Sequence, residues 1–312
     1  MITLAILLAM LGALLSAVGV QLQSAGVRAE ARANDGLRLR GLARLVRNPR
    51  WLLGLAVLAV CAALQVLALA LAPVTVVAPI VVLALPMSAL LNARSTGGRL
   101  DTAASIAVLA SAAGVGLFVV LAAGAANPVA YSPANVLRAG ELVAAVVALL
   151  GVIGAMRRDI PRCLAFAAGA GAAYGLVSVL VRDVTYTFQH GGITAVSPLS
   201  VVGMVVAFLA GGWLLQLAYA SGPPDLVVGC QTVLNPLVAT GLGIGMFNET
   251  VDAGGWRGIG LVAGGVVAIL GVTVLARHRP DARGEGKHGV HLFPGHDPGG
   301  ESGTSSSAST VR

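Results

Sequence analysis

The chain has 312 residues, of which 57% are hydrophobic and 11% charged, and its mean hydropathy is +0.88. A soluble globule is excluded, because several apolar stretches are each about 20 residues long, enough to cross about 30 Å of hydrocarbon. The net charge of +7 would fit a nucleic-acid binder, but its distribution along the chain assigns it to membrane topology instead.

Taken in order, nine spans fit: 2–23, 51–71, 74–93, 102–123, 137–156, 163–181, 199–219, 225–246 and 256–276. Their apolar residues run continuously instead of alternating, which predicts helices and not a β-barrel. The first stretch, MITLAILLAMLGALLSAVGVQLQ, has no basic n-region and no small-residue cleavage site, so it reads as a retained span. The loop 28–50 contains DGLRLRGLARLVRNPRW. It is either an ordinary basic loop or a short surface helix with its arginines at anionic headgroups. Placing that loop in the cytoplasm puts 17 of the 20 Lys and Arg residues inside and leaves only Arg138, Arg182 and Arg257 outside. Such asymmetry orients membrane proteins, and it predicts an external N-terminus, a cytoplasmic C-terminus and residence in the cytoplasmic membrane. Residues 278–312 turn polar and Gly/Ser-rich and are expected to be disordered. The spacing of His278, His288, His291 and His296 matches no ordered metal site. Cys61, Cys163 and Cys230 form no CxxC and read as small packing residues.

An internal repeat organises these spans. LQVLALALAPVTVVAPIVVLALP, from Leu64, has a degenerate twin in LQLAYASGPPDLVVGCQTVLNP, from Leu215. Gln65 precedes Gln216 by 151 residues, Pro73 precedes Pro224 by 151, and Pro86 precedes Pro236 by 150. With nine spans, a first repeat over 1–125 and a second over 163–277, bridged by 126–162, would enter the membrane in opposite senses. The fold expected is therefore all-α and polytopic, with two inverted repeats, an arrangement that supports alternating access.

No enzyme motif is present: GxxxxGK[ST], HExxH and GxSxG are all missing. GLGIG (241–245) lies in an apolar span, and Gly241, Gly243 and Gly245, like Gly171/Gly175 and Gly260/Gly264, read as helix-packing surfaces. No cofactor or metal is expected, and without an ATP site any transport would run on gradients or a partner.

The informative residues are polar ones within spans. A buried amide in hydrocarbon needs a partner, so it serves either as glue between helices or as a contact in a wet cavity. Gln65 and Gln216 occupy matching positions, which favours glue. Gln231 and Asn235 have no counterpart in the first copy, which favours a substrate cavity. Glu141, one turn from Arg138, is either a proton or cation site or half of an interfacial ion pair. Pro79, Pro86 and Pro236 each remove a backbone donor mid-span, giving gates or static kinks. Asp101, Asp225, Glu249 and Asp252 fall at span ends, where carboxylates suit helix starts.

The final stretch, MFNETVDAGGWRGIGLVAGGVVAILGVTVL, resembles the end of an EamA-type repeat of the drug/metabolite transporter superfamily, with Glu249, Gly258, Gly260, Gly264 and Gly271 in matching places. AYGLVSVLVRD (173–183) resembles the first helix of such a repeat, with Arg182 where a Lys is frequent. Residues 45–86 resemble the second and third helices of the related NIPA-like branch. The resemblance spans 1–276. It implies a secondary transporter or permease of a small solute, with metabolite or drug efflux favoured and NIPA-like magnesium transport as the alternative. The superfamily plan has ten spans against nine here, and the first-half counterpart of Glu249 is replaced by the STGGRLD link. Magnesium prefers carboxylate oxygens, and no carboxylate falls mid-span in this reading. The partners expected are the solute and the lipid bilayer, with a homodimer allowed and no nucleic acid. A reading of another class is a membrane scaffold or accessory subunit that transports nothing.

Overall fold

The computed structural model describes residues 2–33, 44–71, 80, 82–95, 102–123, 132–246 and 256–277, and every regular element among them is helical. In chain order these are α1 (Ile2–Ala33), α2 (Pro49–Leu71), α3 (Ala84–Ser95), α4 (Thr102–Ala123), α5 (Pro133–Met156), α6 (Asp159–Gly191), a 3-10 turn (Ile193–Ala195), α7 (Pro198–Ser221), α8 (Pro224–Met246) and α9 (Trp256–Arg277). All but α3 are long and apolar enough to cross a membrane, which makes eight candidate spans among the described residues. The rest of the third predicted span, 74–79 and 81, lies outside them. The chain is thus an all-α polytopic protein.

The helix starts are written in the sequence. α2, α5, α7 and α8 each open on a proline, whose fixed φ suits the first helical position and whose missing N–H costs nothing there. Asn48 caps α2 by accepting from the backbone N–H of Arg50 at 3.0 Å and of Trp51 at 3.4 Å. Ser132 caps α5 through Asn135 N–H at 3.2 Å. Gly192, with φ 71°, ends α6 in the left-handed conformation that favours glycine.

Two helices outrun their predicted ends. α1 has 32 residues and α6 has 33, about 48–50 Å at 1.5 Å per residue, against about 30 Å of hydrocarbon. The segment after the apolar run of α1 is VRAEARA, rich in strong helix formers and free of Gly and Pro, so the helix continues. Residues 28–33 therefore belong to α1 and not to the predicted 28–50 loop, and 34–43, the greater part of the candidate surface helix, lie outside the described residues. In α6 nothing breaks the chain between Val177 and the Gly191–Gly192 pair.

The helices pack in two sets joined by like members. α1 lies along α2 and touches α3, which touches α4; α6 lies along α7 and α8, and α8 touches α9. α1 and α2 run antiparallel, with Gly12 against Cys61, Gly19 against Leu58 and Gly26 against Trp51. α6 and α7 do the same, with Cys163 against Gly222, Gly169 against Leu214 and Gly203 against Leu180. Across the sets, α3 meets α8 and α4 lies along α9, while α5 packs mainly on α6. The α4–α9 seam brings backbones together: a methyl group at Gly114 would lie 2.6 Å from Ala268 N, and one at Gly271 would lie 2.7 Å from Ala107 O. Only small residues permit this approach, and dispersion then holds helices that lipid gives no hydrophobic reason to associate.

The core is small-residue rich, and large apolar side chains point outward along the helices, Leu149, Ile106, Val206 and Val262 among them. That inversion of the soluble pattern is what lipid as solvent requires. Gly171 and Gly175 pack against Leu234 and Val238 of α8, but Gly241 and Gly245 face open space, which corrects their reading as packing surfaces.

Candidate functional site

Helix ends gather at one end of the bundle: the second half of α1, the first turn of α2, the last turns of α3 and α7, and the first turns of α6 and α8. Around them lies a buried polar cluster comprising Gln23, Ser24, Ser88, Asn92, Gln216 and Asp225. Asn92 of α3 donates from Nδ2 to Oδ1 of Asp225 in α8 at 2.9 Å, and both are 1% exposed. Gln21 of α1 donates to the Ser88 carbonyl at 3.2 Å. Arg28 donates to Ser24 Oγ at 3.4 Å, and its charge acts on Asp225. Asp225 is the second residue of α8, where the helix dipole favours an anion. This is the helix start that the sequence reading gave it, and its side chain is buried there.

Trp51 and Gln216 make the second bond across the sets. Trp51 Nε1 donates to Gln216 Oε1 at 3.2 Å, and both side chains are buried. The Asn48 cap and the close passage of Gly26, where a methyl group would lie 3.0 Å from Trp51 Cβ, hold the indole in place. Gln65, the sequence match of Gln216, instead reaches Cys61 Sγ one turn back in its own helix at 3.7 Å. Trp51 and Gln65 are 14 residues apart on α2, about 21 Å, so the two glutamines occupy different depths.

Midway along α8 the picture changes. Ser178 Oγ lies 3.0 Å from Asn235 Oδ1 and 2.9 Å from the Tyr174 carbonyl, two acceptors for its single hydroxyl proton. Ser178 is exposed, Asn235 and Gln231 are half-buried, and Gln231 abuts Gly171. Tyr174 meets Phe208 edge-on at 5.9 Å. This is a neutral polar patch at mid-helix, able to offer amides and a hydroxyl to a solute. Pro236 sits beside it inside an unbroken α8, and the loss of its N–H leaves the Thr232 carbonyl without its usual helical donor. Pro86 stands in the first turn of α3, just after a turn at Leu83 whose N–H bonds to Ile80 O at 3.0 Å. Pro79 lies outside the described residues.

Glu141 and Arg138 are both exposed on α5. Beside Glu141, Leu142, Val146, Val238, Gly241 and Gly245 line an apolar groove of about 460 Å³ between α5 and α8. The five polar candidates thus form no single cluster.

Sequence reasoning missed Asn92, Arg28 and a second buried carboxylate, Asp183, which accepts from Ser200 Oγ at 2.7 Å. Arg28 and Asp183 were legible in principle: drawing α1 and α6 to their full lengths would have put charges inside helices, where they are costly and functional. Asp183 and Asp225 lie near opposite ends of α6, since Asp225 neighbours Cys163, and are therefore about 30 Å apart. They cannot share one cation, and no group of three metal-binding side chains occurs among the described residues.

The chain is a multi-pass integral membrane protein. No protein-family model matches it, and no solved structure matches it. It is 27% identical over 248 residues to an uncharacterized protein of Corynebacterium glutamicum, an alignment covering 78% of this chain and 85% of that one.

Proposed function

We propose that this protein is a secondary transporter or permease of the drug/metabolite transporter type, moving a small solute by rocking two inverted halves, α1–α4 and α6–α9. The observation that carries this reading is the shared packing scheme: first helix on second, first on third, third on fourth in each set, joined through α3–α8 and α4–α9. Together with the 151-residue sequence repeat, it fits a pseudo-symmetric pair able to exchange two mirror-related states. The solute path runs past Ser178, Gln231 and Asn235, polar groups that a lipid-facing surface gives no reason to keep. Their chemistry suits an uncharged or amphipathic solute with hydrogen-bonding groups, and efflux of metabolites or drugs is the direction favoured.

Flux into proteoliposomes across a panel of metabolites, cationic drugs and Mg²⁺ tests this. Asn235→Ala should abolish or strongly reduce flux of the accepted solute while expression and thermal stability hold, because the lost Ser178 bond is worth only about 1 kcal/mol. An unchanged rate removes Asn235 from the path. A protein that moves nothing in the panel, and whose Asn235→Cys variant labels from neither face, is a scaffold.

A further inference from the structure

Two side-chain hydrogen bonds between α1–α4 and α6–α9, Asn92–Asp225 and Trp51–Gln216, lie at one end of the bundle. Both are buried, and each joins residues more than 130 positions apart in sequence: 133 and 165. The contact between the sets along α4 and α9 is of another kind. There Gly114, Gly264 and Gly271 bring backbone onto backbone over several turns, and one side-chain bond, Ser111 Oγ to the Ala268 carbonyl at 3.2 Å, accompanies it. A seam of glycines can pivot without breaking directional bonds, whereas the polar contacts at the helix ends are made or lost as discrete units. Midway along α6 and α8, by contrast, the Ser178–Asn235 pair is confined to one set and is open to its surroundings.

We propose that Asn92–Asp225 and Trp51–Gln216 are a latch that closes the solute path at the α7–α8 turn, with the α4–α9 seam as its pivot. The arginine distribution assigns that end to the cytoplasm, so the structure is the cytoplasm-closed state. The proposal rests on the transport reading and adds its gate. Each bond suits a reversible latch. The Asn92 amide donating to a carboxylate, backed by the charge of Arg28, is charge-assisted and directional. The Trp51 indole has a single N–H and one acceptor aimed at it, so the bond is either whole or absent. Tyr219 and Leu226, fully buried around this end, exclude water that would otherwise compete for these groups.

The test uses the full-length protein in oriented vesicles, with Cys61, Cys163 and Cys230 replaced by Ala and Gln231→Cys as the reporter for a membrane-impermeant maleimide. Trp51→Phe keeps the ring and deletes the donor. It should raise reporter labelling from the face bearing the α7–α8 turn by about tenfold, the factor a bond worth about 1.4 kcal/mol commands, and lower labelling from the other face. Equal rates from both faces, matching the parent, overturn the latch. The second variant locks instead of loosening: Asn92→Cys with Asp225→Cys, oxidised. Cross-linking should abolish labelling from the turn-bearing face and, in protein that keeps Gln231, halt flux; reduction should restore both. Failure of the two cysteines to cross-link overturns the latch, because it denies that the side chains meet. Cross-linked protein that still moves solute also overturns it and leaves the transport reading standing. A reporter that is silent from both faces in every variant, with no flux in protein that keeps Gln231, overturns both.

Discussion

The second hairpin, α7–α8, and the first, α2–α3, share a pattern of glutamine and prolines, yet they hold their polar groups in opposite ways. Gln216 is buried and bonded to Trp51 in the other set of helices, while Gln65 is half-buried and turns back onto its own helix. Asp225 is buried against Asn92, and its match in the first copy is the apolar Val74. Repetition of sequence therefore carries over the helical frame but not the chemistry. A helix needs only apolar length and a start signal, whereas a buried amide takes whichever partner the neighbouring helix presents.

That contrast can be broken by substitution. The largest effect belongs to Asp225→Ala, which leaves the buried Asn92 amide without its acceptor and should cost about 3 kcal/mol. Thermal unfolding in detergent would show it, and Val74→Ala in the first copy should stay below about half that loss. Next comes the glutamine pair. Gln216→Leu orphans the Trp51 N–H and should cost about 1–3 kcal/mol, whereas Gln65→Leu removes only a weak bond to sulfur and should be near neutral. Equal losses would mean the matched positions play one role after all. The smallest effect sharpens the division within α8 and α6. Gly171→Ala pushes a methyl to 2.8 Å from Leu234 Cβ and should cost about 1–2 kcal/mol. Gly241→Ala meets nothing within 4 Å and should gain up to about 1 kcal/mol from helix propensity. A groove that holds a solute would instead show Gly241→Ala lowering flux without lowering stability.

Much of the frame was legible. The prolines at 49, 133, 198 and 224 mark helix starts that the structure uses, and the apolar runs locate eight of the spans, six of them closely at both ends. The ends of α1 and α6 were not legible, because hydropathy measures what dissolves in lipid and not where a helix stops. Helices that stop with the apolar run leave the half-buried Arg28 and the buried Asp183 in loops. Within α8 the asymmetry of Asn235 pointed to a substrate cavity; that it stands half-buried 3.0 Å from Ser178 Oγ was not legible, because nothing in the sequence names that partner. Asn92 carried no signal at all: an amide three residues from the end of a helix looks interfacial until another helix covers it.

By itself, then, the sequence determined that this chain is helical and spans a membrane many times, because those properties follow from apolar length, from proline starts and from the cost of an unsatisfied backbone in lipid. Which polar groups face one another was decided only by the tertiary structure. Trp51 meets Gln216 and Asn92 meets Asp225 because glycine seams bring distant helices close enough, and hydrogen bonds reach only about 3 Å. No spacing along the chain encodes a partner 133 or 165 residues away.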